Sequence, residues 1–174
     1  MPSNSPTHDP ENTLPAGTLF VVATPIGNLD DVTIRALKTL AAVDLIAAED
    51  TRHTKRLLDR HALPAGRLIS CHEHNEAERV AQLLAALREG KTVALVSDAG
   101  TPGVSDPGYR LVQAARAAGF SVVPIPGPSA AVTALSAAGL PTDAFLFVGF
   151  APRKQGALKR DLAALAAQRA TLIF

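Results

Sequence analysis

The sequence predicts a three-layer α/β domain on a parallel sheet, followed by the opening elements of a second α/β domain that is incomplete here. Three observations predict it. Five short apolar runs, at 19–23, 45–48, 68–70, 92–97 and 121–125, have the length and flanks of buried strands. Each breaks at its carboxyl end into a loop rich in Gly, Pro or acidic residues. Each loop leads into a stretch with helical character, and strand alternating with helix is the pattern of parallel βαβ units. Parallel strands end on one edge, so the five loops converge there, and that edge is where α/β sheets hold ligands.

Taken in order, residues 1–16 carry Pro2, Ser3, Asn4, Ser5, Pro6, Pro10 and Pro15 without apolar periodicity and read as a disordered leader. The first strand begins near Leu19. Ile34, Leu37 and Leu40 then recur at helical spacing, so the first helix should bury that stripe. The clearest helix is 76–89, where Val80, Leu83, Leu84 and Leu87 fall at i, i+3, i+4 and i+7 while Glu78, Arg79 and Arg88 face water. A small-residue helix containing Thr133 and Leu135 follows Pro128. A Leu140-Pro141-Thr142-Asp143 turn then interrupts the rhythm, and a second domain is expected to start at residue 144 with a strand over 144–150 and a helix over 155–168. The chain stops in a new apolar run, 171–174, with no closing turn, from which a truncated second domain is expected.

With 174 residues, 47% hydrophobic and 19% charged, the chain has enough apolar side chains for a core. Its apolar runs fall far short of the roughly 20 residues that span a bilayer, and the amino terminus lacks a signal-peptide pattern, so a cytoplasmic location is expected. The lone Cys71 cannot form an internal disulfide and carries no catalytic expectation. The net charge of +1 hides two basic stretches. One holds Arg52, Lys55, Arg56, Arg60 and Arg67, and the other Arg153, Lys154, Lys159, Arg160 and Arg169. These are either solvated helix faces or grips for phosphates. Aromatics at 4% argue against a base-stacking platform.

The segment from Ala85 to Thr92 imitates a phosphate-binding loop, but it closes a helix and opens a strand, the reverse of what such a loop needs. No Gly-x-Gly-x-x-Gly follows the first strand, which argues against an ordinary dinucleotide fold. The loops that remain are rich in glycine and proline. Gly100, Gly103 and Gly127 allow close backbone approach to a ligand, while Pro102, Pro126 and Pro128 stiffen the loops. Asp98, at the tip of the fourth strand, suits hydrogen bonds from sugar hydroxyls or a neighbouring positive centre. Ser129 is either a helix cap or a ligand contact.

Polar chemistry gathers after the second and third strands: Glu49, Asp50, Arg52 and His53, then His72, Glu73, His74 and Glu76. Glu49 and Asp50 read either as cap and ion-pair groups or as a general base beside the pocket. His72 and His74 at i and i+2 specify no third ligand, so no metal is expected.

Four motifs resemble one family in both residues and order. These are Thr24-Pro25-Ile26-Gly27-Asn28-Leu29, Ala48-Glu49-Asp50-Thr51-Arg52, Ser97-Asp98-Ala99-Gly100-Thr101-Pro102-Gly103 and Pro124-Ile125-Pro126-Gly127-Pro128-Ser129. They resemble the tetrapyrrole-methylase-like S-adenosylmethionine enzymes, with similarity running from about Thr18 to Phe174. Within that group they are most similar to a branch that methylates the ribose 2′-oxygen of a cytidine in 16S ribosomal RNA. The resemblance implies two α/β domains enclosing S-adenosylmethionine, a homodimer, a small ribosomal subunit or its RNA as partner, and a chain continuing well beyond Phe174. Carried over motif by motif, cofactor contacts fall on Pro25, Ile26 and Gly27, on Asp98, Ala99, Gly100, Thr101 and Pro102, and on Gly127, Ser129 and Ala130. Asp50 is the expected base, with Glu49 and His74 as substitutes, and Arg52, Lys55, Arg56, Arg153 and Lys154 are expected to hold RNA phosphates. Two alternatives stay open: the same cofactor with a tetrapyrrole carbon or a modified protein residue as acceptor, and a truncated, non-catalytic module that binds RNA or protein.

Overall fold

The computed structural model describes residues 14–64, 67–72 and 74–174. Up to residue 13 the expected leader lies outside the described residues, as does Glu73. The chain forms two compact units, one ending at Gly127 and one running from Pro128 to Phe174.

The first unit alternates strand and helix throughout: β1 (Thr18–Val22), α1 (Ile34–Ala42), β2 (Leu45–Ala48), α2 (Thr51–Arg60), β3 (Arg67–Ser70), α3 (Glu76–Arg88), β4 (Val93–Val96), α4 (Tyr109–Ala117) and β5 (Ser121–Ile125). All five strands lie parallel in the order β3-β2-β4-β1-β5. Strands buried on both faces are continuously apolar, and β2 and β4 are wholly buried. Alternate residues feed two cores. Phe20, Val22, Ile46, Ala48, Ala94 and Val96 pack with Leu40 of α1 and Leu57 and Leu58 of α2. Leu19, Leu45, Ala47, Val93 and Leu95 pack with Leu83 and Leu87 of α3 and Leu111 and Ala115 of α4. A helix layer on each face is the three-layer architecture expected.

Strand order and right-handed crossovers explain this division. From β1 to β3 the chain moves one way along the sheet, and from β3 to β5 it moves back, so α1 and α2 lie on one face and α3 and α4 on the other. The neighbouring strands β1 and β4 therefore send their following loops to opposite faces. Both loops start side by side at the carboxyl edge, where open α/β sheets hold ligands.

Two local expectations are corrected. Ile34 is 75% exposed rather than buried. The buried stripe of α1 runs through Ala36, Thr39 and Leu40 to Val43, and Ile34 lies about 200° around the helix from Ala36. Arg79 on α3 is half-buried rather than facing water. The imitation phosphate loop does close α3, with Gly90 at φ +80° ahead of β4, so it opens a strand and not a helix.

The starts of β2 and β4 are clipped together by Asp44 and Thr92. Thr92 N and Oγ1 both donate to Asp44 Oδ2 at 2.7 Å, and Asp44 N donates to Thr92 Oγ1 at 3.0 Å. These bonds, the backbone donor first, hold the Asp44 carboxyl below its ordinary range. A lowered folded-state value means that the stabilisation is present above the unfolded value of about 3.9 and is lost as pH falls through the folded one. Asp44→Asn is therefore expected to lower stability at pH 7 and to flatten its decline below about pH 4 in urea titrations repeated across pH.

The second unit holds α5 (Ala130–Ala137), β6 (Phe145–Phe147), α6 (Gln155–Leu165) and β7 (Thr171–Ile173). β6 and β7 pair in parallel, with Phe145 opposite Thr171 and Phe147 opposite Ile173. β6 is shorter than the expected 144–150, and Gly149 takes a left-handed φ of +89° just beyond it. α6 ends three residues early, at Leu165. Among the described residues no helix is long and apolar enough to cross a membrane.

Candidate active site at the carboxyl edge of the sheet

The loop after β1 and the loop after β4 are joined by an isolated antiparallel bridge. Thr24 N donates to Gly100 O at 2.9 Å, Gly100 N donates to Thr24 O at 3.0 Å, and Thr24 Oγ1 donates to Ser97 O at 3.0 Å. Gly100 takes φ +81°, a conformation that L side chains adopt only at a cost, which allows the β4 loop to turn back onto Thr24. Beside this seam is a cleft of about 340 Å³, within the range of small-molecule sites. Pro25, Ile26, Gly27 and Leu29 line it from the β1 loop, Ser97, Asp98 and Ala99 from the β4 loop, and His53, Thr54, Arg56 and Leu57 from α2.

A second set of bonds locks β2 to β4 at the same edge. Asp98 N donates to Glu49 Oε2 at 3.2 Å, and Asp50 N donates to Asp98 Oδ1 at 3.0 Å. The other carboxylate oxygen of Asp98 lies 2.9 Å from His53 Nδ1. Asp50 caps α2 by accepting from Arg52 N at 2.8 Å. The Arg52 guanidinium also reaches both Asp50 oxygens, with Nη2 2.6 Å from Oδ2. Hydrogen bonds from the Arg52 side chain and then its backbone hold the Asp50 carboxyl far below the carboxylate range. Such a carboxylate is a weak proton acceptor, so the geometry favours Asp50 as a cap and ion-pair partner rather than the base.

Asp50, His53 and Asp98 place one oxygen or nitrogen each within 4.8 Å of one another. The Arg52 guanidinium already compensates Asp50, and His53 Nδ1 already lies within hydrogen-bond distance of Asp98, so the cluster is accounted for by one ion pair and the hydrogen bonds beside it. Asp106, farther along the β4 loop, is pushed above the ordinary range by burial; the Asp98 charge adds to this and a bond with Ser97 opposes it. Cys71 is buried, and burial followed by the Glu76 charge pushes its thiol up to about 11, which makes it an inert core residue.

The structure gathers some of the sequence-predicted residues and separates others. Pro25, Ile26, Gly27, Asp98, Ala99 and Arg56 line the cleft, and Glu49 and Asp50 brace its wall. Gly100 forms the seam, while Thr101 and Pro102 continue the loop beyond it. His74 lies elsewhere, in a hollow with Glu76, Asp106, Gly108, Tyr109 and Arg110. Gly127 is needed for packing, because a Cβ there would lie 2.9 Å from Ala23 Cβ. Lys55 is exposed on α2, and the exposed Arg52 is already committed to Asp50. In the second unit, Ser129 occupies the N-cap position of α5, next to Ala130, but its hydroxyl makes no capping bond. Arg153 and Lys154 there precede α6.

Sequence reasoning placed His53 in a polar loop without assigning it a role. The missed signal was its spacing from Asp50: as the third residue of α2, it stands at the helix end that the cap fixes.

Residues 18–174 match the family model of tetrapyrrole (corrin/porphyrin) methylases. The chain is 58% identical over 158 residues to the ribosomal RNA small subunit methyltransferase I of Escherichia coli, covering 91% of this chain and 55% of that protein. It is 60% identical over 156 residues to the protein of the same name from Mesorhizobium japonicum, covering 90% and 53%. The chain thus spans about half the length of the curated relatives it matches. Among solved structures, uroporphyrin-III C-methyltransferase from Thermus thermophilus aligns with a TM-score of 0.59 at 30% identity, covering 75% of this chain and 59% of that one. A cobalt precorrin-4 methyltransferase aligns at 0.60 and 22% identity, covering 77% and 59%, a likeness of fold alone. Motifs, sheet and site thus meet in one assignment: the chain belongs to the tetrapyrrole methylase family.

Proposed function

We propose that this protein transfers a methyl group from S-adenosylmethionine to the ribose 2′-oxygen of a cytidine in 16S ribosomal RNA. The observation that carries this reading is 58–60% identity, over about nine-tenths of this chain, to proteins named ribosomal RNA small subunit methyltransferase I. A homodimer acting in the cytoplasm on the small subunit or its RNA belongs to the same reading.

The cleft suits the cofactor. Its lining is apolar at Pro25, Ile26, Leu29 and Leu57, with the Asp98 carboxylate and main-chain groups of the β1 and β4 loops at hand. The Asp98 carboxylate suits a positive centre, while His53 and Arg56 line the same cleft. Ile26, Gly27 and residues 98–101 would hold S-adenosylmethionine, with Pro25, Pro102, Gly127, Ser129 and Ala130 supporting it. When bound, the cofactor supplies an already activated sulfonium methyl. The protein's tasks are then to align the acceptor oxygen and to accept its proton.

Lys55 and Arg56 would contact RNA phosphates beside the cleft, with Arg153 and Lys154 contributing from the second unit. Lys55→Glu combined with Arg56→Glu is expected to weaken RNA binding across sequences and to reduce the salt slope by roughly two units. Filter-binding titrations over a range of salt check this. Labelled methyl incorporation from S-adenosylmethionine, by the full-length product of the gene, tests the function itself. Label in 16S RNA or the small subunit is expected; label entering a tetrapyrrole and not RNA would overturn it.

A further inference from the structure

We propose that His53 is the catalytic proton acceptor for the attacking hydroxyl and that Asp98 positions it. The inference rests on the methyl-transfer reading of the same cleft and deepens it.

His53 lines the cleft with its side chain 52% exposed, so a substrate can reach the ring. Its Nδ1 lies 2.9 Å from Asp98 Oδ2. In the neutral ring an Nδ1–H donating to Asp98 leaves the lone pair on Nε2, the nitrogen that remains to meet a substrate. The carboxylate is itself held, because its other oxygen accepts from Asp50 N and the Asp98 amide donates to Glu49. On the histidine side, α2 is capped by Asp50 and anchored in the core by Leu57 and Leu58. Both halves of the pair are thus fixed before substrate arrives, as a carboxylate–imidazole base requires.

The competitors are committed elsewhere. Arg52 occupies both oxygens of Asp50, Glu49 holds the Asp98 amide, and His74 belongs to a different hollow. In the transfer, the ribose 2′-oxygen bonds to the methyl carbon while the carbon–sulfur bond breaks with its electron pair kept by sulfur. The hydroxyl proton passes to His53 Nε2. The imidazolium that results is balanced by the Asp98 carboxylate and returns its proton to water after product leaves.

The test uses the full-length gene product. His53→Ala and His53→Gln are expected to lower kcat roughly 10²- to 10⁴-fold with S-adenosylhomocysteine affinity unchanged by calorimetry. Added imidazole should restore part of the His53→Ala rate. Independently of activity, nitrogen-15 NMR of the histidine ring should show a protonated Nδ1 and a bare Nε2, a signature lost in Asp98→Asn. Wild-type rates in His53→Ala, or a ring protonated at Nε2 in the wild type, would overturn the inference while leaving the methyl-transfer reading intact. A wild-type protein that binds no S-adenosylhomocysteine overturns that reading instead.

Discussion

Asp98→Ala is expected to slow methyl transfer roughly 10²- to 10⁴-fold, about 3–5 kcal/mol of barrier. One carboxylate serves two partners at the sheet edge: it accepts from Asp50 N at 3.0 Å and sits 2.9 Å from His53 Nδ1. Its removal frees the imidazole to rotate and to take the wrong tautomer, and leaves the Asp50 amide without this acceptor. Asp98 also belongs to the proposed cofactor set, so S-adenosylhomocysteine should bind more weakly to this variant. Asp98→Asn separates the effects, because it preserves shape while placing a donor or a neutral acceptor opposite Nδ1. Single-turnover rates with calorimetric affinities distinguish the two contributions. A single-turnover rate for Asp98→Ala equal to wild type would show that the cleft works without the pair.

The largest expected effect on stability falls on Gly108→Val. Gly108 sits at φ +119°, and a Cβ added there would lie 2.7 Å from Cδ2 of the buried Leu95. Neither the backbone nor the core can relax easily. Glu76, buried on α3, accepts from both Gly108 N and Arg110 N at 3.1 Å and so pins the start of α4. Leu95 stands in the central strand β4, between β1 and β2. Backbone strain of about 1–3 kcal/mol and overpacking of similar size add to a loss of about 3–5 kcal/mol. Urea unfolding should show a lower midpoint with an unchanged slope. A midpoint equal to that of wild type would mean that the strand and helix separate more readily than this packing implies.

These sites also show how far the residues alone could be read. The five apolar runs of the first unit became strands whose ends moved by one residue at most, because a short buried strand in a parallel sheet is apolar throughout and sharply bounded by its loop. The pairing of β1 with β4 was not legible. It depends on the reversal of direction after β3, which no local pattern records, and it is this pairing that creates the cleft.

The site was legible as loops and much less so as roles. Pro25, Ile26, Gly27 and Asp98 could be placed because glycine, proline and a strand-end acid mark a ligand edge. Asp50 is expected as the base from its place on a loop at the ligand edge; that the Arg52 guanidinium reaches both its oxygens was not legible in the residues alone. His53 at the start of α2 and Asp98 on the loop after β4 are distant in sequence, so only the sheet brings them to 2.9 Å. Gly127 shows the same limit: a Cβ there would lie 2.9 Å from Ala23 Cβ, a packing constraint that no local pattern records.

The most direct measurement is nucleoside mass spectrometry of small-subunit RNA from cells lacking the gene, before and after treatment with the full-length protein and S-adenosylmethionine. The account predicts one new methyl carried on the ribose of a cytidine, absent when the treating protein is Asp98→Ala. A methyl on a base, or RNA left unmodified by a protein that binds S-adenosylhomocysteine, would contradict it.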